Sequence, residues 1–137
     1  MIVVDTNVIV ALLLDGPDSA LARRAWKRDR DWLVPTLWRS EFLNVLWQAV
    51  RTGNLAEDAA IQAWSHASRL LVPRERPVDG AAVLRTALRF GITAYDAHFV
   101  ALASALGVVL VTNDRKSLAD RCPETMVVRL ASFAGPG

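Results

Sequence analysis

A single cysteine, Cys122, occurs in 137 residues, so an internal disulfide is excluded and no second thiolate gives zinc spacing. A reducing compartment is the expected setting, with Cys122 as a small half-buried filler. Histidine is nearly as scarce. His66 and His98 have no metal spacing with each other or with the cysteine, and on a helix His98 points away from Asp96. Lysine is rare too: fourteen of the sixteen cationic residues are Arg. Arg favours bidentate phosphate contacts, although genomic base composition alone produces the same bias. The longest apolar stretch, Phe99 to Val111, contains Ser104 and Gly107 and is too short to span a membrane. No charged segment leads into an apolar run at the start. The expected location is therefore cytoplasmic, neither secreted nor membrane-anchored. Repeats, low-complexity tracts and internal linkers are also missing, which leaves a single domain over 1–137 with a frayed end from about 132.

What is present describes a folded, mildly basic chain. The hydrophobic fraction is 53%, the charged fraction 22% and the net charge +2, with a pI near 9.2; these values suit a compact core and exclude disorder. Short β-branched runs alternate with amphipathic segments. Strands are expected at Ile2 to Val4, Trp32 to Pro35, Val108 to Val111 and Met126 to Leu130. Helices are expected at Asn7 to Leu14, Pro17 to Arg28, Thr36 to Arg51, Glu57 to Leu70, from a cap at Asp79 to Phe90, from a cap at Thr93 to Gly107, and at Lys116 to Arg121. The stretch Val72 to Val78 reads as extended, and residues 52–79 carry no motif. The alternation argues an α/β fold, a three-layer α/β/α arrangement around a central parallel sheet.

Four carboxylates sit where a carboxylate is costly. Asp5 follows Met1-Ile2-Val3-Val4, Glu41 interrupts the largely apolar helix from Leu37 to Val50, Asp96 opens the apolar helix Ala97 to Leu106, and Asp114 closes Val108 to Asn113. Such groups need neutralisation. No Lys or Arg run is interleaved with them, and oxygen-only ligation suits Mg²⁺ or Mn²⁺. Asp5 and Asp114 fall at carboxyl ends of parallel strands, where ligands of open α/β sheets bind. Asn44, one turn after Glu41, is placed to hydrogen-bond its carboxylate. Each of the four has a structural account: Thr93-x-x-Asp96 is a capping box, Asp5 and Asp114 could be helix N-caps, and Glu41 could be solvated if its helix is rotated from this placement. Capping does not account for Glu41.

Asp5-Thr6-Asn7 after an N-terminal strand, Glu41-x-x-Asn44-Val45-Leu46, Tyr95-Asp96-Ala97 before Ala101-Leu102-Ala103, and Thr112-Asn113-Asp114 together resemble a PIN domain. Size and compactness resemble the VapC-type ribonuclease toxins of toxin–antitoxin pairs, over about residues 1 to 131. The resemblance implies a PIN-like fold and a metal-dependent endoribonuclease whose metal-binding, catalytic acids are Asp5, Glu41, Asp96 and Asp114. Thr112, Thr6 and Asn7 support them. It further implies one or two Mg²⁺ or Mn²⁺ ions, hydrolysis of RNA to a 5′-phosphate and a 3′-hydroxyl, a cognate antitoxin and a homodimer. Glu41 would be either a ligand or a water-orienting base. Arg115, next to Asp114, is the candidate phosphate contact.

Trp26, Trp32, Trp38, Trp47 and Trp64 all fall in the first half, as core residues or partly as an apolar groove for a partner. Other enzyme classes fit worse. A haloacid-dehalogenase phosphatase would want a second Asp where Asn7 stands, and a receiver domain would want paired acids after the first strand. The alternative to catalysis is a non-catalytic PIN-type module that binds RNA or protein.

Overall fold

In the computed structural model of the chain, which describes residues 1–113 and 118–137, the first residues enter the centre of the sheet. Ile2–Val4 form β1 and are buried throughout. Alternation with helices then gives α1 (Thr6–Leu13), α2 (Ser19–Arg28), β2 (Trp32–Leu33), α3 (Trp38–Arg51), α4 (Glu57–Leu71), a 3-10 turn at Val72–Arg74, α5 (Gly80–Phe90), α6 (Ala94–Leu106), β3 (Leu110–Thr112), α7 (Leu118–Arg121), β4 (Val127–Arg129) and α8 (Leu130–Ala134). The four strands are all parallel, in the order β2-β1-β3-β4, with helices on both faces. This is the expected three-layer α/β/α arrangement.

Strand order decides where a ligand can go. The chain passes from β1 outward to β2, then returns and passes from β3 outward to β4. The reversal lies between β1 and β3, which pair through Val3 with Leu110 and Val4 with Val111. A crevice opens at the carboxyl ends of such a pair. Asp5 directly follows β1, and Asn113 directly follows β3.

Beneath the crevice lies one continuous core that includes Val3, Ile9, Trp32, Leu33, Trp38, Phe42, Phe99, Leu110 and Leu130. A second, smaller cluster of Val83, Ala87, Ala97 and Ala101 joins α5 to α6. Its small side chains let the two helices approach closely, which fixes the start of α6 near the crevice.

The ends of several elements differ from expectation, for local reasons. Val108 is not in β3: its N–H bonds Ala103 O at 3.0 Å, completing the cap built on left-handed Gly107, φ 68°. That amide is therefore spent on ending α6. The extended reading of Val72 to Val78 is corrected to a 3-10 turn followed by a short bridge between Val34 and Glu75. The last strand stops at Arg129, and the chain continues as α8 where fraying from about 132 was expected. Leu130 is fully buried there, Arg28 Nη1 donates to Phe133 O at 2.8 Å, and Arg24 Nη2 donates to Gly135 O at 3.2 Å.

Candidate active site

Asp5 leaves β1 in extended conformation and becomes the N-cap of α1: its Oδ1 accepts the Thr6 N–H at 2.8 Å. Its other oxygen, Oδ2, accepts the hydroxyl of Thr112 at 2.9 Å. Both side chains are buried, Asp5 at 7% exposure and Thr112 at 0%. Burial, reinforced by the negative charges of Asp96 and Glu41, outweighs these two hydrogen bonds and pushes the Asp5 carboxyl up to about 7. The capping role expected as an alternative is therefore real, yet it leaves a buried, strained charge.

Glu41, in the first turn of α3, is half-buried. Its Oε1 accepts the Thr6 hydroxyl at 2.7 Å. Its carboxyl is also raised, first by burial and then by Asp96, while the Thr6 bond and His98 oppose the rise. Asn44, expected to supply that hydrogen bond, is instead exposed on the wall of the same cavity. Through its bond to Glu41, Thr6, the first residue of α1, links α1 to the first turn of α3.

Asp96 lies in the first turn of α6. The cap of that helix is made by its backbone N–H, which donates to Thr93 Oγ1 at 3.1 Å. Asp5, Thr6, Asn7, Glu41, Asn44, Tyr95, Asp96 and Asn113 all line one cavity of about 1010 Å³. Asp114 and Arg115 lie outside the described residues.

A relay of polar contacts backs the crevice. Asn7 Nδ2 donates to Thr112 Oγ1 at 3.4 Å, the Asn113 N–H donates to Asn7 Oδ1 at 2.9 Å, and Asn113 Nδ2 donates to Asp18 Oδ2 at 2.9 Å. The first two bonds assign the Asn7 amide, because the backbone N–H requires its oxygen. Asp18 stands at the N-cap of α2 but makes no capping hydrogen bond with its side chain; it receives Asn113 instead. Sequence reasoning missed Asp18 and the influence of His98. The ring of His98 donates through Nδ1 to Ala94 O at 2.6 Å, and His98 is near enough to oppose the rise at Glu41. Neither signal is visible in linear spacing.

The donor set is all oxygen and negatively charged, and its buried member is destabilised by neighbouring like charges. That chemistry fits a hard divalent cation. Among the described residues, no three His, Cys, Asp or Glu side chains converge as a ready group for an ion.

The tryptophans divide. Trp32 and Trp38 are core; Trp26 meets Trp32 edge-on at 5.1 Å, and Trp64 stacks on Trp38 at 5.6 Å. Trp47 is 56% exposed and, with Leu43 and Ile61, borders an apolar groove of about 280 Å³ between α3 and α4.

Comparison with known proteins agrees with this architecture. The PIN domain family matches residues 2–122. Ribonuclease VapC3 of Pyrobaculum aerophilum is 36% identical over 128 residues, covering 89% of this chain and 95% of the relative. Ribonuclease VapC9 of Mycobacterium tuberculosis is 39% identical over 136 residues, covering 94% and 100%. The crystal structure of PAE2754 from Pyrobaculum aerophilum superposes with a TM-score of 0.74 at 25% identity, covering 97% of this chain and 85% of the other.

Proposed function

This chain belongs to the PIN domain family, and we propose that it is a Mg²⁺- or Mn²⁺-dependent endoribonuclease, the toxin of a toxin–antitoxin pair. The observation that carries this reading is Asp5: a buried carboxylate pushed up to about 7 by burial and by Asp96 and Glu41. It sits at the switch point of a parallel sheet, in a chain 36% and 39% identical to proteins named ribonucleases.

Asp5, Glu41 and Asp96, joined by Asp114, would hold one or two ions. A bound ion supplies an activated water and stabilises charge on the phosphoryl and leaving oxygens. The protein's own part is orientation. Thr112 and the Thr6 N–H fix both oxygens of Asp5, so its carboxylate cannot rotate away from the cavity. The Thr6 hydroxyl holds Glu41 at the same cavity, as ligand or as the group that orients water. A single-stranded or looped RNA suits the open crevice, because an A-form duplex hides its base edges. Arg115 is proposed as a phosphate contact beside Asp114.

The partner of such a toxin is an antitoxin protein, and the exposed groove between α3 and α4 is an apolar surface open to it. Homodimerisation is proposed on the family resemblance. No helix among the described residues is long and apolar enough to cross a membrane, and cytoplasmic residence is part of the proposal.

The test is direct. Purified without its partner, the protein should cleave single-stranded RNA with Mg²⁺ or Mn²⁺, leave 5′-phosphate and 3′-hydroxyl ends, and stop in chelator. Binding of RNA without any cleavage would favour a non-catalytic module.

A further inference from the structure

One aromatic ring stands at the rim of the acidic cavity. Tyr95 is 64% exposed and lines the same space as Asp5, Glu41 and Asp96. It occupies the first turn of α6, immediately before Asp96. The fold gains little from the ring: Thr93 caps the helix, and Phe99, one turn later, is the fully buried anchor. Among the described residues lining the cavity, Tyr95 is the only aromatic, and none is Lys or Arg. An RNA strand entering there meets carboxylates, so phosphate contacts with those side chains are repulsive until an ion intervenes. A neutral π-face gives the strand a foothold that does not depend on charge.

Resting on the ribonuclease reading above, we propose that Tyr95 binds RNA by stacking on an unpaired base beside the scissile phosphodiester, holding that phosphodiester against the acid cluster. Stacking on an aromatic is tolerant of base identity. Asn44, exposed on α3 and lining the same cavity, then offers a donor and an acceptor to the edge of the stacked base.

The experiment is single-turnover cleavage of a short RNA centred on a mapped cut site. It reads the half-saturating protein concentration and the maximal rate separately. Tyr95→Ala should raise half-saturation about 5- to 150-fold, the equivalent of the roughly 1–3 kcal/mol that one stacked base contributes, and leave the thermal melt unchanged. Tyr95→Phe should restore wild-type saturation. Leu88→Ala, a still more exposed apolar position on α5 outside the cavity, should change nothing. Abasic sites scanned across the cut should reveal one position where losing the base weakens wild type as much as Tyr95→Ala does. There the two losses combined should be no worse than either alone. Unchanged saturation in Tyr95→Ala, full additivity at every abasic position, or a Tyr95→Phe as weak as Tyr95→Ala would overturn stacking while the ribonuclease reading stands. A wild-type protein that cleaves no RNA would remove both.

Discussion

Asp5 is held at both oxygens, by Thr6 N–H and by Thr112 Oγ1, and is still disfavoured as an anion. In the folded chain without metal it keeps its proton to about pH 7, against 3.8 for the ordinary group. Between those values the native state binds more protons than the unfolded chain, so ionisation of Asp5 lowers stability as pH rises through the window. Glu41 is displaced in the same direction. Melts in chelator should therefore show wild type losing stability relative to Asp5→Asn from about pH 4 to about 7. A pH-independent difference would contradict the burial account. Added Mg²⁺ should stabilise wild type increasingly over the same range, because the ion competes with the proton. Thr112→Val should cost roughly 1–3 kcal/mol above pH 7, since it removes a hydrogen bond to a charged, buried acceptor, and Thr112→Ser should recover most of it. Asp5 and Glu41 stood out in the sequence as carboxylates beside or within apolar runs, and Thr6 and Thr112 were reached only through the family resemblance. Asp18 was missed, because its contact with Asn113 joins residues 95 positions apart and nothing at residue 18 announces it.

Elements whose ends are set by local chemistry were readable to within a residue or two. Asp79 accepts Ala82 N–H at 3.0 Å, Thr93 accepts Asp96 N–H, and Gly91 and Gly107 close α5 and α6 in the left-handed region. The α6 cap makes two substitutions diverge. Thr93→Ala should destabilise by about 1 kcal/mol through loss of the cap. Asp96→Asn keeps the backbone bond and relieves repulsion with Asp5 and Glu41, so in chelator it should melt higher than wild type and lose most of the Mg²⁺-induced rise. A lower melt that keeps the full Mg²⁺ rise would make Asp96 a helix-dipole residue only. Elements set by distant contacts were not readable. Residues 52–79 carried no motif because their key contact is non-local: Glu75 accepts the indole N–H of buried Trp38 at 2.8 Å and pairs with Arg39. Glu75→Ala should cost about 1–3 kcal/mol by leaving Trp38 Nε1 without an acceptor, and Glu75→Gln should recover much of that in urea unfolding.

For the whole molecule, the parallel sheet followed from alternation of strands and helices, but the site follows from strand order. Order β2-β1-β3-β4 puts the switch point between β1 and β3, and no linear pattern distinguishes it from its alternatives. The division of the tryptophans was equally hidden, since burial of Trp38 and exposure of Trp47 depend on which face of α3 meets α4. If the exposed face receives the antitoxin, Trp47→Ser combined with Leu43→Ser should abolish co-purification with the product of the neighbouring gene. Cleavage by the free protein should stay within about twofold of wild type, because neither side chain lines the acidic cavity. Retained co-purification would place the partner elsewhere. The central claim is that the cluster around Asp5 binds the ion that drives RNA cleavage. The most direct measurement titrates Mn²⁺ into one preparation, following bound ion by electron paramagnetic resonance and RNA cleavage in parallel. The half-saturating concentrations should coincide in wild type, and Asp5→Asn should lose both signals together. Cleavage that survives in Asp5→Asn, or Mn²⁺ binding that Asp5→Asn leaves unchanged, would contradict it.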